Sequence, residues 1–535
     1  MMDATGTLGK WWRETFAVAF APKNPHSLPM NHSSVMPFAR LLLLLFVWPW
    51  TAQADVDARV EAILPKLQRI ADTYRIKTHT PGLAIAVVTP NNTYYVNSGR
   101  ISASSPRRVS ASTVFQVASV SKAITGTYAA RLVTEGKLQW DDRIVDLLPW
   151  FRFASEDVTR RVTVLDMLTQ RSGLIFGTGA ILEDLGYGQR FVLEHMREID
   201  PSPLFRKKWD YVNFGITIGG VAAARTTDWN FPVSISRTLF QPLGMLHTSA
   251  SYKAFLRAKN AAKMNYVLDG RPRPLFVRDA DAEAPAGGVC STSRDLATLL
   301  RVYLNGGKFR GQTFLSPSAL KTATSPLTFI AEKKNDYRLY YGVGWFVKVS
   351  DAGERTVYHD GTFAGVHTLL SFKPEHKIGI VVLGNAFWGL PPQAVEDAFY
   401  QLYSTGRVKR HTLAKYVAPP PPQRATVDKV LAASTSLPAT VLGQPLSAYV
   451  GTYANAYLGN FVVAQTTSGL TLTAGPHESA LPLRVVDGKL CVINKSGDVF
   501  FFVFSGFNGA SFTKLAVVDD KTVAENGWSD LTRVP

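Results

Sequence analysis

Cysteine is nearly absent. Cys290 and Cys491 are the only two in 535 residues and stand far apart, so no disulfide framework or paired-cysteine metal site can be built from them. The ten histidines show no His-Glu-x-x-His or comparable ligand spacing, and neither a catalytic metal nor another cofactor is expected. Acidic residues are also under-represented, 41 against 58 basic ones, for a net charge of +17. The basic residues are scattered, without a basic, aromatic-interleaved run or a zinc-finger spacing, so nucleic acid is not the expected partner. The charge is read instead as favouring anionic surfaces such as cell walls or membranes. There is no internal repeat. With 46% hydrophobic and 19% charged residues, stability has to come from packed cores, and the length suffices for one large domain and a smaller one.

Near the start, Arg40 is followed by an apolar run from Leu41 to Trp50 and then by Ala52-Gln53-Ala54 before Asp55. This is a signal peptide pattern, and the run is too short to span a bilayer comfortably. Cleavage after Ala54 and secretion are expected. The segment before the run is unusually long for a signal n-region, which leaves Met36 as a second start or the whole segment as a membrane anchor. Residues 1–54 are therefore set apart as a signal peptide or N-terminal extension.

An amphipathic helix is expected around Val56 to Arg75, and GLAIAVVTPNNTYYVNSG then reads as a hairpin turning at Pro90-Asn91-Asn92. Strands recur only much later, in RTVYHD and GVHTLLSFKPEHKIGIVVLGNA, with mostly helical segments between. The first and last parts of one domain, 55–410, are thus expected to supply a single antiparallel sheet flanked by helices, with a helical insert, ending in a helix around Pro392 to Leu402. APPPPQ, Ala418 to Gln423, reads as a stiff linker within 411–444. Short alternating runs such as NFVVAQ, LTLTA and DVFFFVF predict a small all-β unit over 445–535.

Three polar constellations carry candidate chemistry. In VFQVASVSKAITGTYAARLVTEG a strand-like run becomes a helix, with Ile124, Tyr128 and Leu132 on one face and Gly136 as the stop. Ser119 falls at the cap position, and a capping serine followed by a solvated lysine is the plain reading. Yet Lys122 is three residues on, on the same side of the turn, where an amine can take a proton from the hydroxyl and the free N–H groups favour an anion beside it. WDYVNFG places Tyr211 and Asn213 two apart, otherwise a buried tyrosine with a turn asparagine. VYHDGTFAGVH places His359 and Gly361 before Thr362 at a strand edge, where a lone histidine is usually structural but the glycine lets a substrate approach the backbone.

Together the three resemble the serine β-lactamase and penicillin-binding-protein superfamily, in its branch of class C β-lactamases, D-alanyl-D-alanine carboxypeptidases, D-aminopeptidases and esterases. Ser119-Val120-Ser121-Lys122 matches the Ser-x-x-Lys element, Tyr211-Val212-Asn213 resembles Tyr-x-Asn, and His359-Asp360-Gly361 stands where the superfamily carries Lys-Thr-Gly or His-x-Gly. GKLQWDDRIVDLLP, VTVLDMLTQRSGL, PLGMLHTS, APAGGVCSTSRDLATLL and YGVGWFV match as well, so the resemblance runs from about Glu61 to Leu402. The C-terminal region resembles a lipocalin-like β-barrel. The fold implied is α+β, a β-lactamase/transpeptidase-like antiparallel sheet flanked by helices, plus that barrel.

The resemblance implies that Ser119 is the acylated nucleophile, that Lys122 and Tyr211 share general-base and general-acid work, and that Asn213 helps hold the substrate or Lys122. The oxyanion hole would be the N–H groups of Ser119 and Thr362. A lysine in the third element suits a substrate carboxylate; His359 is mostly neutral at pH 7 and would gain charge only toward pH 5 to 6. A serine hydrolase acting through an acyl-enzyme on a small ester, amide or peptide is expected. The alternatives are a β-lactamase or D,D-carboxypeptidase, and an inactive binding or assembly protein that retains the fold. Secreted material should begin at Asp55 on N-terminal sequencing; a chain retained from Met1 would make the apolar segment an anchor.

Overall fold

The structure, a computed structural model, describes residues 51–534 apart from 269–270, 275–276, 364, 387–390, 410–411, 413–415, 417–428, 477–479, 494–498 and 519–528. The apolar run of the expected signal peptide and the proline run of the expected linker lie outside the described residues. Among the described residues no helix is long and apolar enough to cross a membrane.

One nine-stranded antiparallel sheet organises the first 400 or so residues. Its strands are β1 (Gly82–Val88), β2 (Thr93–Tyr95), β3 (Ser98–Gly99), β4 (Thr328–Lys333), β5 (Tyr337–Tyr341), β6 (Phe346–Ser350), β7 (Arg355–Phe363), β8 (Val366–Lys373) and β9 (Ile378–Gly384). They run in the order β4-β5-β6-β7-β8-β9-β1-β2, with β3 also on β1. The early hairpin therefore closes against the last strand, Ala84 opposite Leu383 and Val87 opposite Ile380. β1 and β9 are buried along their whole length. Alternation explains how: Leu83, Ile85 and Val87 enter one core and Ala84, Ala86 and Val88 the other. The first core is closed by helix α1 (Thr51–Lys77), through Val60, Ile63, Leu67, Ala71 and Tyr74 at helical spacing, and by the final helix of this region through Val395, Phe399 and Leu402. The edge strand β4 is not legible as a strand in the sequence, because it has no buried residue and therefore no apolar alternation.

The second core holds helix α2 (Val120–Thr134), which ends where Gly136 takes φ +70°. A single buried face was expected. Instead every residue from Val120 to Ala130 is buried, because α2 lies between the sheet and the helical insert. Such a position demands backbone-to-backbone packing: a Cβ on Gly126 would lie 2.0 Å from Val343 O, and one on Gly344 2.1 Å from Lys122 O.

A second nine-stranded sheet follows, spanning Gly451 to Val534. Its two end strands, Leu481–Pro482 and Arg484–Val486, are separated in sequence only by Leu483. The sheet must therefore curl until its ends nearly meet, giving a barrel-like form around Tyr453, Phe461, Leu472, Phe502 and Leu515. The fold is thus α+β with a C-terminal β-barrel-like sheet. The helical insert meets the C-terminal sheet just before the helix Ala180–Asp184, at Gly179, whose N–H donates to the buried Tyr457 hydroxyl at 2.8 Å.

Gly126→Ala should lower stability by an amount at the upper end of roughly 1–3 kcal/mol, since a carbonyl of the opposing loop cannot yield as a side-chain tip can. Equilibrium denaturation of the variant and the parent measures it; an unchanged midpoint would contradict the close contact.

Candidate active site

Backbone geometry presents Ser119. Phe115 and Gln116 pair with Ser291 and Cys290, Ala118 then takes φ +48°, uncommon for a residue with a Cβ, and Ser119 begins the turn of α2. The capping reading does not hold, because the Ser119 side chain makes no cap hydrogen bond. Its Oγ accepts from Lys122 Nζ at 2.9 Å. Lys122 Nζ also donates to Ala286 O at 3.0 Å, so both partners are neutral oxygens. The lysine is not solvated but fully buried. Burial pushes its ammonium down to about 7, against the opposing pull of the Glu283 and Asp360 carboxylates.

Tyr211 is held between two anchored neighbours. Asp210 N donates to Gln170 O at 3.2 Å and Val212 N to Gln170 Oε1 at 3.0 Å, with Gln170 itself at φ +60°. The Tyr211 hydroxyl is hydrogen-bonded to the Ser119 side chain, and Lys122 Nζ lies 4.7 Å from the centroid of its ring. Although the residue as a whole is only partly buried, burial around the hydroxyl raises its pKa well above the ordinary tyrosine value, so it stays a phenol. Asn213 opens the helix Asn213–Ala224. Its Oδ1 is buried without a hydrogen-bond partner among the described residues.

β7 forms the opposite wall. His359 is buried, its ring 6.2 Å from that of Tyr211. Its Nδ1 lies 2.6 Å from Asp360 O, and since a carbonyl only accepts, Nδ1 carries the proton. Nε2 then accepts from the Tyr341 hydroxyl at 3.1 Å. Burial first, and the nearby Lys122 charge second, push the imidazole down to about 3. The charge that an ordinary imidazole gains at pH 5 to 6 is therefore absent here, and His359 is a neutral wall residue across pH 5 to 8. Gly361 explains the close approach: a Cβ there would lie 2.4 Å from Val117 O and 2.7 Å from Ser119 N. Thr368 Oγ1 fastens the same junction by donating to Val117 O at 2.7 Å. The next residue on β7, Thr362, pairs with His367 of β8.

Sequence reasoning missed the segment behind Lys122. Ser121 faces away from Ser119 and its Oγ accepts from Val289 N at 3.0 Å, while Thr125 Oγ1 donates to Pro285 O at 2.7 Å. These bonds fix the carbonyl of Ala286. Backbone acceptors have no side-chain signature; the only signal was the stretch APAGGV, read as an ancillary match. Among the described residues no group of three His, Cys, Asp or Glu is placed to hold a metal.

Comparison with known proteins gives the family. The Beta-lactamase family model matches residues 67–405. The chain is 26% identical over 359 residues to penicillin-binding protein 4 of Amycolatopsis lactamdurans, covering 65% of this chain and 91% of that one. It is 25% identical over 342 residues to protein flp of Staphylococcus aureus, covering 62% of this chain and 65% of that one, just under two thirds of the relative's length. In fold it resembles the octameric penicillin-binding protein homologue from Pyrococcus abyssi, with a TM-score of 0.55 at 19% identity over 88% of this chain and 99% of that one. With a family model covering well over half of its length, the chain belongs to the beta-lactamase family, the serine hydrolases that include the penicillin-binding proteins.

Proposed function

We propose that the protein is a secreted serine hydrolase that transfers the acyl group of a small ester, amide or peptide to Ser119 and then to water. The observation that carries this reading is the 2.9 Å contact between Ser119 Oγ and an amine whose proton is lost near pH 7. A serine hydroxyl needs a base within hydrogen-bond reach, and neutral Lys122 has a lone pair for it once Ala286 O holds one N–H. Oγ attacks the substrate carbonyl as its proton passes to Nζ, and the carbonyl oxygen becomes the oxyanion between the N–H groups of Ser119 and Thr362. Tyr211, kept protonated, is the donor at the hydroxyl level and passes a proton to the leaving group, recovering one from Lys122. Water attack on the acyl-enzyme reverses these transfers. Asn213 Oδ1, Gly361 and Thr362 line the substrate, with His359 behind them. The division of labour refines the shared roles expected of Lys122 and Tyr211: the amine is the base and the phenol the acid.

Neutral His359 argues against dependence on a substrate carboxylate. Penicillin binding or D,D-carboxypeptidase activity is the second reading, favoured by the name of the relative from Amycolatopsis lactamdurans. The net charge of +17 supports association with anionic surfaces.

Ser119→Ala should abolish labelling by a fluorescent fluorophosphonate while costing less than about 1 kcal/mol of stability, since the side chain caps nothing. Labelling that persists in the variant places the nucleophile elsewhere, no labelling of the parent supports the inactive binding protein, and labelling by a fluorescent penicillin supports the second reading.

The pH profile tests the base. Because the Lys122 pKa is lowered, the active neutral amine predominates above about 7 and is lost as pH falls below it. kcat/KM for a neutral ester should rise about tenfold per pH unit below that value and level off above it. A profile still rising between pH 9 and 10 would mean an ordinary solvated lysine.

A further inference from the structure

A groove of about 550 Å3 lies between α1 and the end of the helix Pro391–Thr405, on the face of the large sheet opposite α2. Lys66, Arg69 and Arg407 line it together with Ile70, Leu402 and Val408, and none of the residues lining it is an Asp or Glu. Lys66 Nζ donates to Gly406 O at 3.2 Å, which uses one of its three protons. The side chains of Arg69 and Arg407 have no hydrogen bond or ion pair among the described residues. The groove thus gathers three cations without a counter-ion around an apolar lining, a composition that fits an anion attached to an apolar body.

The rest of α1 sorts its charges by side. Its acids turn toward the β1–β3 hairpin: Asp57 accepts from Thr89 Oγ1 at 2.6 Å, Glu61 from the Tyr94 hydroxyl at 3.0 Å, and Asp72 from Ser98 Oγ. The side toward the groove carries Arg59, Lys66, Arg69 and Lys77, all exposed, with Ile76 60% exposed among them. Arg59 holds the line against the second helix, donating to Tyr403 O at 2.9 Å with its guanidinium 4.4 Å from the centre of the Tyr403 ring. From Arg59 to Lys77 the line is about 27 Å long, at about 1.5 Å per residue. A single soluble phosphate would occupy one point of it, whereas a plane of phosphates meets all of it. The apolar run from Leu41 to Trp50 leads directly into this helix at Thr51, and cleavage after Ala54 would leave every one of these cations on the chain.

We propose that the groove between α1 and the helix Pro391–Thr405 docks the protein on an anionic phospholipid surface, with Lys66, Arg69 and Arg407 on the headgroup phosphates and Ile70 and Ile76 toward the acyl boundary. The proposal rests on the surface association inferred from the net charge and gives it a place. The test sediments the full chain with vesicles of phosphatidylcholine alone and of phosphatidylcholine mixed with phosphatidylglycerol, at low and high salt. Comparing the two lipids cancels whatever the apolar run contributes. The parent should prefer the anionic vesicles by roughly tenfold or more at low salt and lose that preference at high salt. Combining Lys66→Gln, Arg69→Gln and Arg407→Gln should remove most of the preference. A control that combines Lys253→Gln, Lys308→Gln and Lys334→Gln, exposed lysines that do not line the groove, loses the same charge and should keep it. Equal loss in the two variants overturns the groove and leaves only a diffuse effect of net charge; no preference in the parent removes the surface association as well. If inorganic phosphate at matched ionic strength raises the unfolding midpoint of the parent and not of the groove variant, the ligand is a free anion and the lipid assignment is overturned. Should the triple groove variant fail to fold, Arg69→Gln alone decides, with an expected loss of roughly fivefold in the preference and none as the contrary result.

Discussion

Water is withheld from one amine, and much of the catalytic half of the molecule is arranged around that exclusion. Bringing the Lys122 pKa from 10.5 to about 7 corresponds to about 5 kcal/mol of lost preference for the charged form, and burial is its main cause. The burial depends on what is missing from neighbouring residues. Gly126 and Gly344 let the helix and the Val343–Gly344 loop meet backbone to backbone, and Gly361 lets β7 close against the helix start. Ser119, Lys122 and the strand beside them are held by one continuous contact. Because the amine finds only neutral oxygens at hydrogen-bond distance, no counter-ion restores the charge that burial removes.

The same dryness sets the character of the walls. Buried His359 turns both ring nitrogens inward, to Asp360 O and Tyr341. A residue that at the surface would sense pH becomes a fixed acceptor. Tyr211, beside the same amine, is held in its neutral form for the same reason. One physical cause therefore acts in opposite senses on Lys122 and Tyr211, lowering the amine and raising the phenol, and drives the two toward the uncharged pair on which the proposed proton exchange depends.

What was legible in the sequence were side chains whose chemistry is local. Ser119 and Lys122 share one helical turn, Tyr211 and Asn213 sit two apart, and Gly361 marks a close approach, so spacing alone puts each pair in reach. The strands β1 and β9 announce themselves as runs without a polar side chain because both faces are covered. What escaped depends on distant chain meeting there. The carbonyl of Ala286 is 164 residues from the amine it accepts from, and nothing about an alanine predicts it. The strand β4 is mostly exposed, so polar residues hide its pairing with β5. The helix α2 showed one apolar face because Thr125 and Thr127 are polar by type, although both hydroxyls bond inside the core.

The hydroxyl of Tyr457 belongs to the C-terminal sheet, yet it accepts the buried N–H of Gly179, one residue before the helix that supplies Glu183 and Asp184. Gly179 in turn sits at φ +85° where a Cβ would be 2.4 Å from Phe214, the neighbour of Asn213. The barrel-like sheet is therefore not an interchangeable appendage. A chimera joining this half to another β-barrel without such a hydroxyl would leave that amide unsatisfied in the interior.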